Sequence, residues 1–374
     1  MSAKLPTVWE APQHTIAKIE MLKSYLFAWL SIIGTRFAQQ DLWYIDGFAG
    51  PGEYTNFSDG SPVAALKTAE TAIQRAGGRW SAGYIHCVFI EEDGARFQHL
   101  QQRLMSLPEH PRIRRYPYHG TFVDGVNALR REAVNPFTAK QPLFAFIDPF
   151  GPEGLSFATV KELLARPACE VLVNLDSDGI NRVYQAGESA NHRERLNEVF
   201  GDAAWESQLA GSRQQTQAAR KIVAMYKDRL RALPNVRYVF AFEMRSRKNA
   251  IDYHLVFASQ HPTGLEKMKE VMRRLDQDGS YCFSDDGIGQ ETMFRFDDSP
   301  VYAKQLLSHF HGQDVTYEEV RDYALNESPF ANPKGMLKEL EATNKITVSG
   351  VRSNRRRGTF PEDTQADMRI QFHN

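Results

Sequence analysis

The sequence predicts an α/β protein, a Rossmann-like sheet with helices on both faces followed by a small C-terminal unit. Five apolar strand-like runs alternate with amphipathic helical segments between residues 42 and 175, the spacing of a parallel sheet with crossover helices. A glycine-rich turn, Asp46-Gly-Phe-Ala-Gly-Pro-Gly52, follows the first run, and polar clusters follow the others, at the strand ends where such sheets bind ligands. From Pro300 the composition changes to short helices and a basic β-ribbon. The domains expected are therefore 1–298 and 299–374.

His14 to Phe37 has apolar residues at Ile16, Ile19, Leu22, Leu26, Trp29, Leu30 and Ile33, which is helical spacing with a broad apolar face. His14 and Lys18, four apart, share a face of that helix, either as a solvated edge or reaching over the glycine-rich turn. Leu42 to Ile45 reads as the first strand, and Ser61 to Ala76 as a helix that can start at Ser61 with Pro62 in its first position. Strands are then expected at Tyr84 to Ile90, Arg112 to Tyr118, Pro142 to Ile147 and Glu170 to Leu175. Helices at Phe97 to Leu107, Val123 to Ala133 and Phe157 to Ala165 separate them. Asn181 to Arg231 reads as polar helix broken at Phe200-Gly201. Tyr238 to Met244 and Tyr253 to Ala258 are strand patterns joined by the basic tip Arg245 to Asn249. A helix follows at Leu265 to Leu275, and Asp-rich Tyr281 to Asp298 reads as a linker or flap. Beyond it, helices at Val301 to Phe310, after Thr316 and at Pro333 to Thr343 alternate with short strands at Val315-Thr316, Lys345 to Val348 and Arg369 to Phe372. That is the order of a winged helix, whose third helix commonly enters a nucleic-acid groove.

Composition bounds the function. Apolar and charged shares of 42% and 24% are those of an ordinary globular chain. With 45 basic and 46 acidic residues, global charge does not draw the protein to nucleic acid or a membrane, so any such surface is local. Cys87, Cys169 and Cys282 lie far apart in no ligand spacing, as expected of free thiols in a reducing compartment. No metal site is expected. The N-terminal residues carry no signal-peptide pattern and no segment approaches the ~20 apolar residues that span a bilayer; a cytoplasmic, membrane-free protein is expected.

The turn suits S-adenosylmethionine better than a dinucleotide. Gly47-Phe-Ala-Gly50-Pro-Gly52 has the wrong spacing for the nicotinamide fingerprint, whereas Asp46 suits the positively charged end of the sulfonium nucleoside. Gly47, Phe48, Gly50 and Gly52 would form the cradle, because a glycine lets the backbone approach a ligand closely. Glu91 is placed to accept hydrogen bonds from ribose hydroxyls, with Glu92 and Asp93 as solvated neighbours or as a cap for the following helix. Thr121 or Phe122 would lie near the adenine. Asp148-Pro149-Phe150 can serve an exocyclic amine: a carboxylate and a fixed carbonyl accept its two N–H groups, and a ring stacks on the base. The plainer alternative is a strand-to-loop turn. Arg352, Arg355, Arg356 and Arg357 either track phosphates or form a solvated loop.

Taken together, His14-Thr-Ile-Ala-Lys18, Tyr25-Leu-Phe-Ala-Trp29, Tyr44 to Gly52, Gly60-Ser-Pro62, Phe146-Ile-Asp-Pro-Phe-Gly151, Val171 to Leu175, Phe200-Gly201 and Tyr253 to Ala258 resemble the three-Cys-motif partner proteins (TcmP) across most of residues 8 to 275. That resemblance implies a class I S-adenosylmethionine methyltransferase fold and a radical-SAM-like partner protein carrying the three cysteines. The Phe-Ala-Gly-Pro-Gly and Asp-Pro-Phe-Gly pieces resemble motifs of adenine-N6 methyltransferases, although Phe150 stands where those have a second proline.

The expected function is therefore methyl transfer from S-adenosylmethionine to an exocyclic amine of nucleic acid, DNA or RNA. Two alternatives stand beside it: a metal-dependent nuclease using Asp46, Glu91 and Asp148, and a non-catalytic scaffold that binds the partner protein.

Overall fold

Runs of four to seven apolar residues suit strands that are covered on both faces, and the computed structural model buries such runs throughout a central sheet. It describes residues 6–137, 141–186, 189–211, 215–245, 251–275, 282–284 and 299–373. The first half contains α1 (Gln13–Arg36), β1 (Leu42–Asp46), α2 (Ser61–Ala76), β2 (Ile85–Glu91), α3 (Gly94–Met105), β3 (Ile113–His119), α4 (Phe122–Arg131), β4 (Leu143–Ile147), α5 (Phe157–Leu164) and β5 (Cys169–Leu175). Four helices follow: α6 (Ser177–Gln185), α7 (Ala190–Phe200), α8 (Trp205–Leu209) and α9 (Gln215–Arg231). Next come β6 (Tyr238–Arg245), β7 (Ile251–Ser259), α10 (Pro262–Leu275) and β8 (Cys282–Ser284).

The sheet has eight strands in the order β3-β2-β1-β4-β5-β7-β6-β8. β1 to β5 are mutually parallel, and β7 enters antiparallel between β5 and β6. This mixed α/β sheet is consistent with the Rossmann-like methyltransferase sheet expected from the sequence. Alternation along β1 sends Leu42 and Tyr44 into a core shared with α1, α2 and α10, while Trp43 and Ile45 enter a second core with α4, α5, α7 and α9. Strand order reverses between β1 and β4, so a crevice is expected outside their carboxyl ends.

Local details depart from the sequence reading for identifiable reasons. Gly60, not Ser61, occupies the cap position of α2, and Pro62 is its second residue. Ser61 instead hydrogen-bonds Asp46. α3 starts three residues before Phe97 because Asp93 accepts the Ala95 and Arg96 amides, so the capping alternative for that acid holds. Of the expected flap, residues 282–284 form β8 alongside β6; the rest of it, and the basic tip after Arg245, lie outside the described residues.

The C-terminal residues form α11 (Ser299–His309), β9 (Asp314–Thr316), α12 (Tyr317–Glu327), α13 (Lys334–Ala342), β10 (Ile346–Ser349) and β11 (Arg369–Phe372). Their three-stranded antiparallel sheet runs β10-β11-β9, over a separate core that includes Leu306, Phe310, Val320, Leu337 and Ile370. Thr316 and Glu319 make a reciprocal capping box at the start of α12, which fixes that helix where Thr316 predicted it. α12 packs on β6: Asn326 Nδ2 donates to the Arg237 carbonyl at 3.1 Å and its Oδ1 accepts the Val239 amide at 2.9 Å. A side-chain amide thus satisfies part of a strand edge that would otherwise be open to pairing. Lys269 of α10, 2% exposed, donates to the carbonyls of Leu325, Ser328 and, at 3.1 Å, Phe330, so carbonyls at and beyond the end of α12 are occupied.

Candidate active site

The turn after β1 is pinned to both neighbouring strands. Gly47 N–H donates to the Phe146 carbonyl of β4 at 2.9 Å, and Ala49 N–H to the Ile90 carbonyl of β2 at 2.8 Å. Gly50 and Gly52 adopt φ of +61° and +87°, a region that disfavours any residue with a Cβ. Farther on, a Cβ at Gly60 would lie 2.6 Å from the Gly52 carbonyl carbon, so the loop closes backbone against backbone. The Gly50 amide is directed to Glu91 Oε2 at 2.8 Å, not outward as the sequence reading expected. Glu91 Oε1 accepts the Asp93 amide at 2.8 Å. Each oxygen of this carboxylate keeps a further acceptor position.

Between these strand ends is a cleft of about 470 Å³ lined by Gly47, Phe48, Glu91, Glu92, Asp93, Gly94, Arg96, Gly120, Phe122, Phe150 and Glu153, within the size range of small-ligand sites. Five expected site residues therefore meet: Gly47, Phe48, Glu91, Phe122 and Phe150. Phe122 and Phe48 pack with ring centroids 5.8 Å apart. Asp46, Gly50, Gly52, Thr121, Asp148 and Pro149 are not in its walls; Thr121 caps α4, accepting the Asp124 amide. Asp46 is fully buried, accepts from the Phe48 amide at 3.3 Å, and no basic side chain pairs with it among the described residues. Burial, followed by the charges of Asp148 and Glu91, raises its pKa to about 7 against the lowering hydrogen bonds of Ser61 and Phe48. Burial also raises Glu91, against the lowering Asp93 and Gly50 amides.

Asp148 sits one residue past β4. Lys18 Nζ donates to its Oδ1 at 2.6 Å and its Oδ2 at 2.8 Å, and Asn174 Nδ2 donates to Oδ1 at 2.6 Å. Lys18 is 7% exposed and lies 4.9 Å from the Tyr253 ring centre. Neither reading of the His14–Lys18 face describes Lys18 as found: it is buried, not a solvated edge, and its ammonium is on Asp148 past β4, not over the glycine-rich turn.

An aromatic group borders the cleft. Phe150, 57% exposed, meets Trp9 with centroids 5.7 Å apart, and Trp9 meets Tyr54 at 5.4 Å. The Arg96 guanidinium lies 4.8 Å from the Trp9 ring centre and 5.2 Å from that of Phe150. The arm carrying Trp9 is tied down by Asn56, which accepts the Ala11 amide at 2.7 Å and donates to its carbonyl at 3.0 Å. Trp9, Tyr54, Arg96 and Asn174 were not singled out by sequence. Trp9, an isolated Trp just before α1, offered the one available signal.

The basic cluster is largely occupied internally. Arg355 pairs with Glu341, Arg352 with Asp363, and Arg357 with the Glu341 carbonyl and Asn344. A more apolar cavity of about 550 Å³, lined by Tyr25, Trp29, Glu170 and Ser259 among others, lies where β5 starts and β7 ends, away from these residues. Cys87 and Cys169 are buried free thiols; nothing is described of the Cys282 side chain.

No protein-family model matches the chain, and no curated protein matches it. Among solved structures, an O-methyltransferase from Bacillus cereus in complex with SAH is 14% identical with a TM-score of 0.35, covering 69% of this chain and 85% of that one. Cofactor-bound Rv0187 from MTB is 14% identical with a TM-score of 0.31, covering 67% and 91%. Trm1 from Pyrococcus horikoshii with S-adenosyl-L-methionine is 12% identical with a TM-score of 0.31, covering 72% and 61%. These superpositions are loose, and the functional reading rests on the cleft.

Proposed function

We propose that the chain is an S-adenosylmethionine-dependent methyltransferase acting on an exocyclic amine of nucleic acid. The observation that carries this is the single cleft in which Gly47, Glu91, Phe122 and Phe150 converge from four strand ends. Three features fit the cofactor. Asp46 is a buried acid without a cationic partner among the described residues, Glu91 retains acceptor capacity for hydroxyls, and Phe48 with Phe122 supplies an aromatic wall. Glu91, Phe48 and Phe122 would hold the cofactor, which when bound would supply an electrophilic methyl group for the acceptor amine. The chain's contribution is chiefly positioning: Phe150 offers an exposed ring for a base, and Asp148 orders the polar groups beside it.

The C-terminal helices and three-stranded sheet follow the order of a winged helix, and that unit would present nucleic acid. With Arg352, Arg355 and Arg357 engaged internally, Arg356 is the member of the cluster best suited to a phosphate. The nuclease alternative needs convergent donors, and among the described residues no group of three His, Cys, Asp or Glu side chains could hold a metal ion. One observation favours a non-catalytic reading: Lys18 holds both oxygens of Asp148, the carboxylate expected to receive the amine.

Transfer of labelled methyl from S-adenosylmethionine to DNA and RNA oligonucleotides tests the proposal. The wild-type protein should label one of them, and Asp148→Ala should lose transfer while keeping cofactor affinity. Cofactor binding with no transfer to either polymer would contradict the catalytic reading, and lost cofactor binding in Asp148→Ala would contradict the placement of Asp148 on the acceptor side.

A further inference from the structure

The cavity of about 550 Å³ lies at the opposite edge of the sheet from the cleft, where β5 starts, β7 ends and α10 begins. Tyr25, Trp29, Ile33 and Phe37 line it from one face of α1, at the four-residue spacing that stacks side chains along a helix. Its walls are therefore largely aromatic and aliphatic. The exception is Glu170 of β5, which lines the cavity and is 8% exposed. Tyr25 Oη donates to Glu170 Oε2 at 2.5 Å and Ser259 Oγ donates to Oε1 at 2.8 Å, so each oxygen keeps a further acceptor position. α10 makes room for the acid with Gly264, where a Cβ would collide with Glu170 Oε1 and Ser259 Oγ.

No cationic side chain pairs with Glu170 among the described residues, and burial raises its pKa against the lowering hydrogen bonds of Tyr25 and Ser259. A glutamine would meet the same two hydroxyls with no charge to desolvate. An ionisable group here thus exceeds what holding α1 to β5 requires. The basic groups at the mouth are otherwise disposed: Lys267 pairs with Glu270 at 2.9 Å, Arg36 is exposed, and burial, followed by the charges of Arg321 and Arg36, lowers the pKa of His261.

We infer that this cavity binds a small organic ammonium with an apolar body, the cation on Glu170 and the body along Trp29, Ile33 and Phe37. A carboxylate and aromatic faces both attract such a cation, and apolar walls with a few convergent polar groups are the usual make-up of a small-ligand site. The inference is independent of the methyl-transfer reading, since none of these residues lines the cleft.

Calorimetric titration of the full-length protein with phenylethylamine at neutral pH tests it, with phenylethanol and phenylpropanoate as neutral and anionic counterparts. The ammonium should bind roughly tenfold or more tighter than the alcohol, and phenylpropanoate should bind weakest. Glu170→Gln should bring the ammonium-to-alcohol ratio near one and leave affinity for the alcohol unchanged. Ile33→Lys, at a half-buried wall position, replaces the glutamine variant if that one does not fold, and its added ammonium should lower the ratio several-fold. Equal binding of ammonium and alcohol by the wild type, or an unaltered ratio in a folded variant, would overturn the inference. So would failure of all three probes to bind, and tighter binding of phenylpropanoate would give the cavity to an anion held by Arg36 and Lys267 instead.

Discussion

At the scale of single residues, the titration of Asp46 makes the site's electrostatics measurable. Burial lifts its pKa to about 7, above the ~3.9 of an unfolded aspartate, so the folded state binds more protons between those values. Stability should therefore fall as pH rises from about 4 to about 7. Asp46→Asn removes that dependence, and relative to wild type it should gain up to about 4 kcal/mol between pH 4 and 8. Urea unfolding of both proteins across this range measures the difference; parallel curves would contradict the buried-acid assignment. A cationic ligand that pairs with Asp46 favours its ionised form, so cofactor binding near pH 6 should release a proton. Calorimetry in buffers of different ionisation enthalpy would detect it, and identical heats in those buffers would count against such pairing.

At the scale of elements, the glycine-rich turn holds its shape through backbone contact. Gly60→Ala would put a Cβ 2.6 Å from the Gly52 carbonyl carbon, costing about 1–3 kcal/mol of overpacking strain and weakening cofactor affinity. Chemical denaturation with cofactor titration would show both effects, and a variant matching wild type in each would contradict the closure described. The turn, the strands through β5 and most helix limits were legible because they rest on short-range signals: apolar period, glycine placement and caps. Lys18 was legible as a candidate, since its four-residue spacing from His14 put it on a definable face. Asn174 was not, because an Asn inside an apolar strand has meaning only once it and Lys18, 156 residues before it, are known to share the carboxylate of Asp148, 26 residues before it. Arg355 was misleading for the same reason. A run of arginines reads as exposed charge, whereas here its guanidinium pairs with Glu341, both side chains under 10% exposed.

At the scale of the whole molecule, α12 joins the two parts by taking the place of a neighbouring strand along part of β6. Asn326→Ala removes both of its bonds to that strand and should cost about 1–3 kcal/mol, with faster hydrogen exchange at the Val239 amide. Unchanged protection there would contradict the edge-covering role. No helix among the described residues is long and apolar enough to cross a membrane. The account as a whole depends on the carboxyl edge of the sheet forming one nucleoside pocket across β1, β2, β3 and β4. Calorimetric titration with S-adenosylmethionine tests this most directly, using the wild-type protein and Glu91→Gln. One site per chain, weakened roughly tenfold by the substitution, is the result predicted. A folded wild-type protein that produces no binding heat, or an affinity indifferent to Glu91→Gln, would contradict it.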